Sequence, residues 1–293
     1  MKKLAFTFWD GPQLSLLNII SILSFAKLNP DTHLTIYTSE TGLEFNSEWK
    51  SGEHGNSITK CYSLNDFQSE SNISIEIIEP EITAKLTSVV YIADYVRILK
   101  LFEHGGIWID SDIIFYKKIP DYVWAASFEN GFVISYRNTI TTGFLGFPRQ
   151  SDAIDLILKR AKEKINQSNY KKDYQRFGPT LWDELFLEHP TAFKDVNFLS
   201  EKLVYPVLWD GLEKFFFSGT DTIDLEQTIG VHWYGGSNLS RSFINNNLDF
   251  FLSEKEPLTN FQKVITRLDT QVNMLNQVRK LQPKIAPSFL PTP

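Results

Sequence analysis

Between Ala93 and Asp112 a helical run, Ala93-Asp94-Tyr95-Val96-Arg97-Ile98-Leu99-Lys100-Leu101-Phe102, stops near Gly105-Gly106 and passes at once into Ile107-Trp108-Ile109, which ends in Asp110-Ser111-Asp112. Three consecutive apolar residues read as a buried strand. Charge at the end of such a strand sits where the sheet meets solvent or a ligand. Side chains in a strand alternate faces, so Asp110 and Asp112 are expected on one side and Ser111 on the other. Two carboxylates on one side suit a hard divalent cation, Mn²⁺ or Mg²⁺. A bare Asp-x-Asp is weak, and its context sharpens it: Asp94 and Arg97, three apart, share a face of the preceding helix. On spacing alone they are equally well read as a surface ion pair.

The opening of the chain points to an α/β fold. Leu4 to Phe8 reads as a buried strand, Asp10-Gly11-Pro12 breaks it, and Leu14, Leu17, Ile20 and Leu23 recur at helical spacing before a second strand, His33 to Thr38. Strand, helix, strand implies a parallel sheet whose ligands lie at the carboxyl ends of strands, where Trp9 falls. By residue type, a core role for Trp9 is a serious alternative. Residues 39–72 read as a polar surface excursion, and Ile73 to Ile78 returns as a strand. Ile113 to Tyr116 continues extended and Pro120 ends it. Val123 to Phe128 and Phe132 to Tyr136 are strand candidates, read as a hairpin across Asn130-Gly131. A helix is expected from about Asp152 to Ile165. Near the end, Phe261, Ile265, Leu268, Val272 and Leu275 form a helical seam that either docks on the body or joins two copies. The expected organisation is a main domain over 1–252, a C-terminal helix over 253–282 and an unstructured Pro-rich tail over 283–293.

Composition narrows the functional classes. With 293 residues, 42% hydrophobic content, 23 Phe and 7 Trp, the chain can bury a large core. A net charge of −6 without a basic stripe argues against a nucleic-acid partner. The single Cys61 forms no internal disulfide and fits a reducing compartment. Met1-Lys2-Lys3 starts like a signal peptide, but Asp10-Gly11-Pro12 cuts the apolar run short, and no stretch reaches the ~20 apolar residues of a membrane span. The expectation is a cytoplasmic protein, with peripheral membrane contact left open.

The run from Tyr91 to Leu101 followed by Gly105-Gly106-Ile107-Trp108-Ile109-Asp110-Ser111-Asp112 resembles the sugar transferases grouped by a DXD sugar-binding region. These include fungal α-mannosyltransferases, α-1,4-galactosyltransferases and capsular polysaccharide transferases, with the glucosylating bacterial toxins as relatives. The family pattern carries Ser where this chain has Ala93, and the strong match covers about residues 91 to 120. The resemblance implies a GT-A type, Rossmann-like mixed sheet flanked by helices, here with a C-terminal helical appendage. It implies a metal-dependent, retaining transfer of a hexose from a nucleoside diphosphate sugar, UDP favoured, to a hydroxyl of a glycan, lipid-linked sugar or protein, as in polysaccharide biosynthesis. Carried over by position, Asp112 is a metal ligand, Asp110 a metal or ribose contact, Asp94 and Arg97 donor contacts, and Phe8-Trp9 the turn against the nucleobase.

Further resemblances extend the site. Thr141 to Gly146 matches a small-residue turn on the acceptor side, against the plain reading of a strand-to-helix connection. Phe177-Gly178-Pro179-Thr180-Leu181-Trp182-Asp183-Glu184 is similar to an acceptor loop, which makes Asp183 a candidate to orient or deprotonate the acceptor hydroxyl. An acidic residue in a first helical turn is equally ordinary. In Ile229-Gly230-Val231-His232-Trp233-Tyr234-Gly235-Gly236-Ser237, His232 stands where the family supplies a third metal ligand, and Arg241 or Trp233 is the candidate for a loop contact to the diphosphate. A lone strand His is more often structural. Two other functions compete: a phosphatase forming an aspartyl-phosphate on Asp110, for which Ile114 and Asp221/Asp224 are poor partners, and a non-catalytic nucleotide-sugar-binding module.

Overall fold

The computed structural model describes residues 2–39, 60–79, 84–86, 88–167, 175–220, 223–253, 259–281 and 283–285. Strand β1 (Lys3–Trp9) leads through a short β2 (Gln13–Leu14) into helix α1 (Leu16–Leu28), and β3 (Thr32–Thr38) returns parallel to β1. Ser15 caps α1 by accepting from the Asn18 N–H. After β4 (Lys60–Ser63), β5 (Ile73–Ile77) adds outside β3. Helix α2 (Val89–His104) then carries the chain back to the other side of β1, where β6 (Gly106–Ile109) pairs parallel to it. The chain thus steps to one side of β1 and then to the other. That reversal opens a crevice at the carboxyl ends of β1 and β6, at Trp9 and Asp110.

The Gly pair makes the step from α2 to β6 physically possible. Gly105 ends the helix with its N–H on the Leu101 carbonyl at φ +67°, and a Cβ there would come within 2.5 Å of the Arg149 backbone nitrogen. Gly106, at φ +117°, lies so close to β1 that a Cβ would sit 2.4 Å from the Leu4 carbonyl oxygen.

Beyond β7 (Ile113–Phe115), residues Asp121–Glu129 form helix α3, not the strand expected over Val123 to Phe128. Pro120 ahead of Asp121 is a helix-opening pair, and it outweighs the strand preference of Val123, Trp124 and Phe128. The hairpin lies one element later. β8 (Phe132–Tyr136) turns at Arg137 and Asn138, both at positive φ, into β9 (Thr139–Phe147), so Thr141 to Gly146 is strand and not a turn. β9 runs antiparallel to β6, and β10 (Asn197–Leu199) closes the seven-stranded mixed sheet in the order β10-β8-β9-β6-β1-β3-β5.

Apolar residues alternate along the central strands into two cores. Ala5, Ile107 and Ile109 face the α1 layer, while Phe6, Phe8 and Trp108 face the layer of α2, α4 (Asp152–Asn166) and α5 (Pro179–Glu188). On the α1 side lie α6 (Leu212–Phe217), α7 (Asn238–Asn246) and α8 (Leu248–Ser253), with α9 (Asn260–Val272) and α10 (Met274–Val278) after them. The C-terminal seam is spent within the chain: Phe261, Ile265 and Leu268 are buried in the main core, with Phe261 edge-on to Phe215 and Phe243. Left-handed Asn273 breaks the helix between Val272 and Leu275. Lys284–Ile285 form β12, paired with β4, so the tail expected to lack structure begins as a strand; residues 286–293 lie outside the described range. No helix among the described residues is long and apolar enough to cross a membrane.

Candidate active site

Asp110, Ser111 and Asp112 lie in a turn between β6 and β7, closed by the Ile113 N–H on the Asp110 carbonyl at 3.3 Å, and not within a strand. Alternation therefore does not orient them. Their hydrogen bonds do. Asp110 Oδ1 accepts from Arg97 Nη2 at 2.9 Å and from Trp108 Nε1 at 2.7 Å, and Asp112 Oδ2 accepts from the Gly235 N–H at 2.7 Å. Each carboxylate thus has one oxygen tied down by protein donors. The other oxygen faces His232: Asp112 Oδ1 lies 3.1 Å and Asp110 Oδ2 3.8 Å from Nε2.

His232 reaches this point through β11 (Gly230–His232), which pairs antiparallel with β7 so that His232 stands opposite Ile113, next to Asp112 in sequence. Its N–H is on the Val204 carbonyl at 2.9 Å and the side chain is buried. Asp110, Asp112 and His232 each offer a ligand atom, all within 4.8 Å of one another.

Electrostatics agree with the geometry. Asp94 and Arg97 are buried, not a surface pair, with Arg97 Nη1 2.6 Å from Asp94 Oδ1 and its guanidinium stacked over Trp108 at 5.1 Å. Burial pushes the Asp94 carboxyl up to about 6 against the pull of Arg97. Burial also opposes ionisation of Asp110, but Arg97 and His232 overcome it and hold that carboxyl far below the usual carboxylate range. At His232 burial favours the neutral ring, yet Asp112 and Asp110 together raise it to about 9. With His232 neutral, three carboxylates face one guanidinium, an excess of negative charge that a divalent cation would neutralise. His232 Nδ1 is buried without a hydrogen bond, while the carboxylate of Asp112 faces Nε2 at 3.1 Å and favours a proton there in the metal-free protein.

Around this centre opens a cleft of about 970 Å³, lined among others by Phe8, Trp9, Asp94, Arg97, Asp110, Asp112, His232 and Arg241. Trp9 is half-buried with its Nε1–H on the Gln13 carbonyl at 2.7 Å, and Arg241 lies by the Gly235 carbonyl at 3.4 Å. Two expected residues are not brought in. Asp183 accepts the Ile140 N–H at 2.8 Å and is not among the lining residues, although Ile140 and Pro179, at the start of α5, are. Trp233, an alternative to Arg241 for the loop contact, is 1% exposed with its indole N–H on Ser21. The phosphatase reading gains no support here: among the described residues no lysine lines the cleft, and Asp224 is exposed and outside it, while Asp221 lies outside the described residues.

Sequence reasoning missed Asn18, Gly143, Tyr205 and Tyr234, all of which line the cleft. A signal existed for Asn18, a polar residue inside the apolar start of α1, whose Nδ2 donates to the Ser111 carbonyl at 3.2 Å. For Tyr205, far from the motif in sequence, there was none.

Comparison with known proteins places these observations. Residues 19–129, which include Asp94, Arg97, Asp110 and Asp112, match the family described as a glycosyltransferase sugar-binding region containing a DXD motif. Among solved structures, the glycosyltransferase GlyE of Streptococcus pneumoniae TIGR4 matches with a TM-score of 0.52 at 12% identity, over 94% of this chain and 63% of that one. The chain thus spans less than two thirds of GlyE. The PaToxG glycosyltransferase matches at 19% identity over 64% of this chain and 69% of that one (TM-score 0.46). The galactosyltransferase LgtC, in complex with donor and acceptor sugar analogs, matches at 12% identity over 92% and 96% (TM-score 0.46). No curated protein matches the chain. The GlyE likeness shows a shared fold, in keeping with the GT-A type mixed sheet expected from the sequence. Residues 19–129 of the chain are thus similar to the glycosyltransferase sugar-binding region that contains a DXD motif.

Proposed function

We propose that this chain transfers a hexosyl group from a nucleoside diphosphate sugar, a UDP-sugar in the first instance, to a hydroxyl acceptor, with a divalent cation held by Asp110, Asp112 and His232. One observation carries the reading: each of the two carboxylates has one oxygen engaged by protein donors and the other turned toward the same imidazole nitrogen. Two carboxylate oxygens and an imidazole suit Mn²⁺ or Mg²⁺ with positions left for a ligand. Bound there, the cation supplies Lewis-acid stabilisation of the charge that develops on the departing diphosphate.

The protein's own residues do the rest. Arg97 and Trp108 fix Asp110, and the Gly235 N–H fixes Asp112, so the donor oxygens are preorganised. Trp9, at the end of β1, is the aromatic surface for the nucleobase with Phe8 behind it, while Asp94 and Arg97 meet the sugar and Arg241 the diphosphate. Asp183 acts here through the β9 backbone it binds and not as a base. Retention of anomeric configuration enters from the family resemblance. It corresponds to front-face attack, in which the leaving diphosphate oxygen takes the acceptor's proton. A role in polysaccharide assembly in the cytosol and the three-part division of the chain belong to the same proposal, supported by the resemblance, the lone Cys61 and the chain's own segmentation.

The test is hydrolysis of nucleotide sugars with and without Mn²⁺, and thermal shift by the same compounds. A donor that raises the melting temperature only with the cation supports the reading. A panel of UDP- and GDP-sugars that neither binds nor is cleaved, with the cation present, refutes it.

A further inference from the structure

We propose that Trp209 is a platform on which a sugar ring of the acceptor stacks, so that the hydroxyl receiving the hexosyl group belongs to a saccharide and not to a protein side chain or a lipid alcohol; the inference rests on the transferase reading above. Trp108, Trp124, Trp182 and Trp233 are at most 2% exposed and Trp9 is half-buried, as is usual for so large a side chain, whereas Trp209 is 72% exposed. A lone exposed aromatic on open surface needs no explanation. Trp209 stands instead in the wall of the large cleft, between Leu208 and Asp210, which line it too. Its exposure is built in. Trp209 opens the 3₁₀ turn Trp209–Gly211, closed by the Gly211 N–H on the Leu208 carbonyl at 2.9 Å, and core residues pin that turn on both sides, Val207 before it and Leu212 after it. A platform so held costs little to order when a ligand binds.

Topology separates Trp209 from the place given to the donor's base. Trp9 ends β1, whereas the segment leading to Trp209 lies beyond β6 in the sheet order: Tyr205, four residues earlier, packs on Gly143 of β9 and against His232, with 5.3 Å between ring centroids. A donor that reaches from Trp9 to Asp110 and Asp112 leaves Trp209 to the other substrate. The polar groups in this part of the cleft name its chemistry. Besides Asp210, the β8–β9 hairpin brings in Tyr136, Arg137 and Thr139, with the Arg137 guanidinium stacked on the Tyr136 ring at 5.0 Å. A pyranose has an apolar C–H face and a rim of hydroxyls, which suits an aromatic face accompanied by a carboxylate, a guanidinium and a hydroxyl. A lipid chain would desolvate those charges without pairing them, and a serine or threonine side chain has no ring to cover the indole.

The experiment measures nucleoside diphosphate release by the full chain with Mn²⁺ from UDP-glucose, UDP-galactose, UDP-N-acetylglucosamine and GDP-mannose, first without acceptor and then with maltose, lactose, cellobiose or N,N′-diacetylchitobiose, with a peptide of serine and threonine, or with farnesol. The expected result is release above hydrolysis with a saccharide and not with the peptide or farnesol. In Trp209→Ala the KM for that saccharide is expected to rise about tenfold with affinity for the bare diphosphate unchanged, and Trp209→Phe is expected to recover most of the loss. Because the side chain is exposed, the ligand-free melting temperature of either variant should equal the parent's. The proposal is overturned if the peptide or farnesol is the acceptor, if no saccharide raises release above hydrolysis, if Trp209→Ala leaves the saccharide KM unchanged, or if it weakens the bare diphosphate equally, which would make Trp209 a base contact. A chain that hydrolyses donor without using a saccharide loses this proposal alone. One that neither binds nor cleaves any donor loses the transferase reading with it.

Discussion

The large cleft at the ends of β1 and β6 and a smaller one, of about 540 Å³ beside Lys117 and Lys118, share two chain segments but not their chemistry. Leu203 and Ile229 line the small cleft; Tyr205 and His232, two and three residues on, line the large one. In the small cleft the charges are satisfied or wet. Lys117 Nζ donates to the Glu226 carbonyl at 2.7 Å, and Lys118 is exposed and 3.6 Å from Asp31. In the large one, Asp94 and Arg97 are buried, Asp110 and Asp112 are half-buried, and negative charge is in excess. Both volumes suit a small ligand. Desolvated, uncompensated charge is what singles out one of them as the proposed reaction centre, because there a cation's or diphosphate's interaction is less screened by water.

Changes to the large cleft should break that contrast, and the greatest effect is expected from Asp112→Asn. It removes a ligand oxygen at constant volume, so metal-dependent donor hydrolysis should fall roughly 10³-fold while circular dichroism stays that of the parent. Near-normal turnover would mean that the carboxylate does not serve the cation. Arg97→Met comes next. It strips the counter-charge from buried Asp94 and from Asp110, and removal of one partner from a buried pair costs about 3–5 kcal/mol; urea unfolding of the metal-free protein reads this directly.

The pH dependence of the metal-free protein sharpens the comparison further. Burial opposes the imidazolium, but Asp112 and Asp110 raise His232 to about 9, above its ordinary 6.5. Its stabilisation is therefore complete below about pH 6.5 and lost as pH climbs through about 9, a loss on the order of 3 kcal/mol at most. The metal-free melting temperature should fall across that window, and His232→Gln should flatten the fall. Since a cation needs the neutral ring, its binding at pH 7.5 should release about one proton, measurable by calorimetry in two buffers of different ionisation enthalpy. The smallest effect belongs to the small cleft: Lys117→Ala with Tyr122→Ala should change donor hydrolysis less than about twofold, since exposed side chains away from the centre contribute little. A tenfold loss there would erase the distinction between the clefts.

Much of this was legible in the chain itself. The strand-helix-strand opening, the Gly105-Gly106 break and the residues Asp94, Arg97, Asp110, Asp112 and His232 all stand where the pattern pointed, and the structure brings them to one cleft. The reason assigned to the two aspartates did not hold. They converge because Arg97, Trp108 and Gly235 hold them, in a turn where strand alternation has no force. Val123 to Phe128 became helix because the Pro120-Asp121 start overrode residue preference. Asp183 sat in a motif-like segment, yet one of its carboxylate oxygens accepts the Ile140 N–H and the residue does not line the cleft.

By itself the sequence determined which strands are buried, where the chain must break, and which residue types cluster at the break. These are properties of near neighbours: apolar alternation, glycine's access to positive φ and the spacing of charge along one helix. Tertiary structure alone decided which oxygen of each aspartate is free, that His232 stands beside Asp112 across the β7–β11 ribbon, and that Tyr205 and Asp110 pack against Gly143 too closely for any side chain there. Those contacts join segments far apart in the chain, and their geometry is set by strand pairing and packing, for which no local pattern of residues is a signal.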